Sequence, residues 1–179
     1  MIIRIANIND IDKILNFEDQ IFELHFKARP DWIEKNPRNY EFKKSIIESN
    51  NSKILLAENS NDIIGLCIIN IREIKDHHMY HDMINIEIEN ICIDEKYRQK
   101  GIAKRLFEEV KNFAKEKGAK FIELSVWEFN KNAIEFYEHL GMKTRIRKME
   151  LNVEWNYIGK GQNQRITGFY VQVFWIGWE

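Results

Sequence analysis

The sequence predicts a mixed α and β domain built on a central, mostly antiparallel sheet that contains one parallel strand pair, with about four helices flanking it. Two observations predict this class. The stretches KILLAE and IIGLCIINI are apolar runs separated by the turn formers NSND, a hairpin signal that makes them antiparallel neighbours. Between residues 84 and 126 a strand, a helix and a strand succeed one another, an order that requires a crossover between parallel strands. With 179 residues, 44% hydrophobic and 31% charged, and only two prolines, the chain suits a single hydrophobic core rather than a disordered or repetitive structure.

The elements follow in order. Ile2–Ile5 is an apolar strand, after which Asn9 or Asp10 caps a helix that places Ile11, Ile14 and Leu15 on one face. A second helix is expected between Pro37 and Ser49, with Phe42, Ile46 and Ile47 inward. Between these helices LHFKARPDW reads as a loop, because Pro30 pushes Arg29 out of helical geometry. The hairpin comes next, then a polar stretch rich in histidine. INIEIENICID alternates strictly, so that Glu87, Glu89, Ile91 and Ile93 are expected on one face and Ile86, Ile88, Asn90 and Cys92 on the other. From Gly101 onward, Ile102, Leu106, Phe107, Val110, Phe113 and Ala114 keep helical spacing, and Gly118 stops the helix. FIELSV is a further strand. Asn130 caps a short helix carrying Ala133, Ile134, Tyr137 and Leu140, which Gly141 ends, and MKTRIRKMEL is expected to return as a strand.

The last two dozen residues change character, with glycines spread among aromatic and β-branched residues and a final strand expected from about Thr167 to Trp178. That strand either completes the sheet, pairs with the edge of a second subunit in a homodimer, or is an extension foreign to the domain. The expected organisation is therefore a domain over residues 1–155 and a C-terminal extension over residues 156–179.

A formal net charge of −1 argues against holding nucleic acid by bulk electrostatics. Cys67 and Cys92 both lie in apolar runs without metal or redox spacing, which fits a reducing cytosol. No signal layout and no apolar stretch long enough to cross a bilayer is seen, so a soluble cytoplasmic protein without a membrane partner is expected. The closely spaced His77, His78 and His81 lack the carboxylate partner and spacing of a zinc site and read as a polar loop.

Charge is nonetheless local. Lys96, Arg98, Lys100, Lys104 and Arg105 fall within residues 96–107, which contain no acid, at the point where a strand gives way to a helix. A helix N-terminus presents unpaired N–H groups and a positive dipole end, and Gly101 lets a ligand approach the backbone, so the turn is built for an anion such as phosphate. RQKGIA, from Arg98 to Ala103, matches the Q/R-x-x-G-x-G/A signature of the GCN5-related N-acetyltransferase (GNAT) superfamily, and NKNAIEFYEHLGM resembles that family's downstream segment. The resemblance covers residues 1–150 as an element order and is specific across residues 84–142. It implies the GNAT fold with a splayed parallel strand pair, and acetyl-CoA as donor. Its pyrophosphate would lie on the N–H groups of Gln99, Lys100, Gly101, Ile102 and Ala103, with Arg98 and Lys104 beside it. Its pantetheine would run along Ile91, Cys92 and Ile93, and Asn132 would touch the cofactor.

Acetyl transfer to an amine needs a base, since an amine of pKa ~10.4 is neutral only about once in 10³–10⁴ molecules at pH 7. Glu87 and Glu89, two apart on one strand face and just before the cofactor-binding end, are the candidates; Glu87 resembles the base of the histone-acetylating branch. Tyr137 resembles the family tyrosine that points at the thioester sulfur and serves as general acid. Relatives that acetylate ribosomal proteins place a glutamate where this chain has Ser125. The resemblance also implies a backbone N–H near Ile91, exposed by a strand bulge, for the thioester oxygen.

Six carboxylates and no lysine or arginine between Asp76 and Glu95 favour a cationic acceptor: a small amine, a peptide N-terminus or a lysine. Trp127 with His25, Phe26 and Trp32 could line its pocket or cap the core edge. Neither cysteine is placed as an acyl carrier, so direct attack in a ternary complex is expected, the alternative being a noncatalytic acyl-CoA-binding module.

Overall fold

The computed structural model describes residues 1–35, 38–60 and 62–151, the side chains of residues 20 and 21 excepted. The expected extension over residues 156–179, and its strand, lie outside the described residues. Two units are separable, Met1–Lys143 and Thr144–Glu179. The second, as far as Leu151, carries no helix or strand.

In the first unit five strands form one sheet in the order β1-β2-β3-β4-β5. They are β1 (Ile2–Ile5), β2 (Ser52–Asn59), β3 (Asp62–Ile74), β4 (Met83–Ile93) and β5 (Phe121–Leu124). The hairpin β2–β3 and the pairs β1–β2 and β3–β4 are antiparallel, and β4–β5 is parallel, as the strand-helix-strand order requires. Helix α1 spans Ile11–Ala28, α2 Tyr40–Glu48, α3 Ile102–Glu116 and α4 Lys131–His139.

Each face of the sheet carries its own core. Leu106, Phe107, Val110 and Ala114 of α3 bury against Leu55, Ala57, Cys67, Ile69, Ile86 and Ile88, with Ile91 and Ile93 packed at the edge. On the other face Ile14 and Phe17 of α1 and Ile46 of α2 meet Ile54, Leu56, Leu66 and Ile68, with Cys92 alongside. Amphipathic helices on a two-sided sheet explain both layers.

Three expectations are corrected and one is refined. Helix α1 continues through Leu24 to Ala28 and stops only at Arg29 (φ −140°), because a proline bars the helical region to the residue immediately before it and to none further upstream. Asp10 stands at the cap position of α1, as expected, but makes no side-chain capping bond to it; the capping side chain is that of Asn7, which accepts from the Asn9 N–H and closes a 3₁₀ turn over Ile8–Asp10 that leads into α1. On α2, Phe42 is exposed and Lys43 is buried in its stead. Residues 143–151 form no strand. Ile146 falls on one parity and Met149 and Leu151 on the other, so no single apolar face exists to bury.

Candidate active site

Strand β4 is paired on both edges only in its first half. Its register with β5 runs from Asn85↔Phe121 to Ile88↔Leu124 and ends there, whereas the ladder with β3 continues to Gly65↔Ile93. The place where β5 parts company is also where β4 is irregular. Ile69 pairs with Ile88 but Ile68 with Asn90, leaving Glu89 as an extra residue, a β-bulge. From Glu89 to Ile93 the β4 edge that faced β5 is open.

The bulge corrects the expected faces. Glu87 and Glu89 do share a face: Arg72 Nε donates to Glu87 Oε2 at 2.6 Å and Asn70 Nδ2 to Glu89 Oε2 at 3.0 Å, and Asn70 and Arg72 are two apart on β3. Ile91 and Ile93, however, pack with Ile86 and Ile88 on the α3 side, and Cys92 turns to the α1–α2 side. The extra residue shifts the alternation by one. The signal lay in the sequence as a phase slip, from Ile84, Ile86 and Ile88 on even positions to Ile91 and Ile93 on odd ones.

Just beyond Ile93, Asp94 caps a 3₁₀ turn over Glu95–Tyr97 and the chain reaches the start of α3. Gln99 (φ 60°) and Gly101 (φ 76°) both take the left-handed conformation, which curls the backbone before the helix. The first backbone bond of α3 runs from the Arg105 N–H to the Gly101 carbonyl at 3.1 Å. The N–H groups of Gln99, Lys100, Gly101, Ile102, Ala103 and Lys104 find no acceptor among the described residues. A Cβ on Gly101 would meet no atom within 4 Å, so the space beside Gly101 is open. No acid stands in the first turn of α3. Arg98 Nε donates to the Ile93 carbonyl at 3.3 Å and Lys100 Nζ to the Lys96 carbonyl at 3.0 Å, fastening two cations around the turn. This donor set fits a phosphate-bearing group.

Tyr137, on α4, is 9% exposed and its ring lies 5.2 Å from that of Phe136. Burial, with the Cys67 thiol as a lesser influence, pushes the phenol well above its usual range and keeps it protonated. Cys67, whose thiol is near enough to influence the phenol, pairs in register with Ile91. Its hydroxyl has no hydrogen-bond partner among the described residues. Asn132 is exposed in the first turn of α4, which Asn130 caps. Ser125 is exposed just past β5. Burial pushes both Cys67 and Cys92 up to about 12, so neither offers a thiolate at neutral pH.

A family model described as "Acetyltransferase (GNAT) family" matches residues 16–142. The chain belongs to the GNAT family. It is 39% identical over 59 residues to an uncharacterized N-acetyltransferase of Methanocaldococcus jannaschii, a stretch amounting to 33% of this chain and 26% of that relative. The matched stretch thus spans about a quarter of that relative's length. Among solved structures, a mutant of the BH1408 protein from Bacillus halodurans has a TM-score of 0.81 at 27% identity, covering 86% of this chain and 99% of that one. An aminoglycoside acetyltransferase from an uncultured soil metagenomic sample, in complex with trehalose, gives a TM-score of 0.66 at 18% identity over 86% of this chain and 96% of its own. The aminoglycoside N-acetyltransferase AAC(6')-Iy in complex with CoA gives 0.66 at 16% identity over 86% and 99%. The last two show likeness of fold alone.

Sequence reasoning about this GNAT domain missed Glu18. It is 1% exposed on α1, with Oε1 accepting from Lys43 Nζ at 2.6 Å and Oε2 buried without a hydrogen-bond partner among the described residues. Burial raises its pKa, Lys43 opposing and Glu89 adding to the rise, so it lies close enough to the bulge to sense its charge. Its signal was position: four residues after Ile14, it sits on the apolar face of α1. Among the described residues no cluster of His, Cys, Asp and Glu could hold a metal, and His77 stacks on His78 and Tyr80 instead. No described helix is long and apolar enough to cross a membrane.

Proposed function

We propose that the protein is an acetyl-CoA-dependent N-acetyltransferase that moves an acetyl group to a primary amine by direct attack in a ternary complex. The observation that carries this is the coincidence of three features at one end of β4: the parting from β5, the bulge at Glu89, and the row of free N–H groups at the start of α3. Acetyl-CoA, when bound, supplies an activated acyl carbon and a thiolate leaving group. Gln99, Lys100, Gly101, Ile102, Ala103 and Lys104 hold its diphosphate through their N–H groups, with Arg98 adding charge. In this reading Ile91, Cys92 and Ile93 offer the open strand edge to the pantetheine amides, and Asn132, exposed in the first turn of α4, touches the same molecule.

Glu89 serves better than Glu87 as the base. It is exposed at the first residue where β4 leaves β5, and its partner is the neutral Asn70, whereas Glu87 is half-buried and paired with Arg72. Overcoming the protonation of the amine costs about 4–5 kcal/mol at pH 7, which is what a placed carboxylate offsets. Tyr137, kept protonated at the phenolic oxygen by burial, is the proton donor to the departing thiolate in this reading. Raised thiols at Cys67 and Cys92 favour direct attack over a covalent acyl-enzyme. The acidic stretch before Lys96 favours a cationic acceptor: a small amine, a peptide N-terminus or a lysine.

The test is calorimetry with CoA and acetyl-CoA, followed by release of free CoA across a panel of cationic, neutral and anionic amines. Binding of both thioester and CoA, with turnover fastest on cationic amines, is expected. Binding without turnover on any amine would replace this reading with that of a noncatalytic acyl-CoA module, and no binding would end both.

A further inference from the structure

Two segments about a hundred residues apart meet ring to ring beside the β4–β5 gap. One follows α1 and carries Arg29, Asp31 and Trp32; the other joins β5 to α4 and carries Trp127 and Phe129. The rings of Trp32 and Trp127 stand 6.2 Å apart at 73°, and Trp127 stacks on Phe129 at 5.8 Å. The Arg29 guanidinium carbon lies 5.8 Å from the Trp32 ring centre and 5.2 Å from that of Trp127. Asp31 closes the group, its carboxylate accepting from Arg29 Nε at 3.0 Å and Nη2 at 2.8 Å.

Capping the core explains this group poorly. Neither apolar core includes Trp32, Trp127 or Phe129, and Trp32 is 60% exposed. The arrangement does suit a positive charge, since two electron-rich faces and a carboxylate converge on one point. Trp127 is also only three residues past Leu124, the last residue of β5 paired with β4, which puts the group at the mouth of the gap.

We propose that Trp32, Trp127 and Asp31 form the seat for a second cationic group of the acceptor, remote from the nitrogen that is acetylated, and that Arg29 fills this seat until the acceptor displaces it. The inference rests on the N-acetyltransferase reading. The nitrogen that attacks must be neutral, so it cannot be the charge that the indoles hold. The acceptor therefore carries at least two basic groups, one uncharged at the bulge and one charged between the rings.

The test compares an α,ω-diaminoalkane with the n-alkylamine of the same length as acceptors. In Trp127→Leu the ratio of kcat/KM for diamine over monoamine is expected to fall about tenfold, within the range for loss of a cation–π partner. In Arg29→Gln the same ratio is expected to rise, because the competing cation is gone. An unchanged ratio in Trp127→Leu, or a fall in Arg29→Gln, overturns the seat. A readout free of turnover separates this from failure of the acetyltransferase reading: titration of tryptophan fluorescence with the diamine. A saturable change in the native chain that Trp127→Leu abolishes supports the seat even if no amine is acetylated. The absence of any change, or a change that Trp127→Leu retains, counts against it.

Discussion

The two halves of β4 are adjacent stretches of one strand, yet they do different physical work. Up to Ile88 the strand is bonded on both edges, and Ile86 and Ile88 are all but sealed from solvent. From Glu89 onward it is bonded to β3 alone, its residues are half-buried or exposed, and charge gathers around it. The first half is held by packing and ladder bonds that nothing else can use. The second leaves main-chain groups and a carboxylate available, at the cost of cohesion. Cohesion and openness are thus separated along a single strand, with the bulge as the boundary.

That division can be broken from either side. The largest effect is expected in the closed half. Ile86→Ala should lower unfolding free energy by about 3–4 kcal/mol in denaturant titrations, because a fully buried side chain leaves a cavity. CoA affinity of the folded fraction should be much less affected. Deleting Glu89 should do the reverse. Without the extra residue, simple alternation already puts Ile86, Ile88, Ile91 and Ile93 on the α3 face, so the melting temperature should hold while kcat falls at least about 10²–10³-fold with the joint loss of the proposed base and of the main-chain donor at the bulge. A collapse of the fold on this deletion would show that the bulge is structural.

Tyr137→Phe should reduce kcat by about 10²-fold with CoA affinity little changed, as expected for loss of a proton donor. Equal losses in both would point to packing. Replacing Glu18 by Gln sharpens the contrast through pH. Burial raises the Glu18 pKa above its ordinary 4.5, so the unfolded chain ionises first, and this group's contribution to stability declines as pH rises from 4.5 towards the folded value. Relative to the native chain, Glu18→Gln should therefore be progressively better off on going from pH 4 to pH 7. Asp10 has the opposite sign. The hydrogen bond from Arg4 lowers its pKa below 3.8, so its stabilisation is present above that value and is lost as pH falls through the folded one; Asp10→Asn should do most harm at neutral pH. Smallest of all, Arg72→Ala should change stability by less than about 1 kcal/mol, because the arginine of the Arg72–Glu87 pair is 59% exposed.

What the sequence made legible follows the same boundary. Helix α3, the β2–β3 hairpin and the parallel crossover were readable because their periods persist over many residues and each buries one clear face. The tight turn before α3 was readable because Gly101 and the cations around it stand close together in the sequence, and both Gln99 and Gly101 take the left-handed conformation there. The bulge was not read, since INIEIEN and ICI each alternate well and only the change of phase between them betrays the insertion. The buried pair of Glu18 and Lys43 escaped because charge on an apolar helix face contradicts the usual rule, and only the facing helix shows that the two neutralise each other. The strand expected over MKTRIRKMEL, residues 142–151, was over-read, its apolar residues lying on both parities. The encounter of Trp32 with Trp127 has no local signal, as it depends on two loops brought together by the sheet between them.

The thiols of Cys67 and Cys92 bear on how the chain can be handled. Both are kept in the unreactive form by burial, so alkylating reagents applied to the native protein should find almost nothing to modify. A chromogenic disulfide added during turnover would then report on liberated cofactor with little contribution from the polypeptide, and a sudden rise in that background would mark the moment at which the sheet opens.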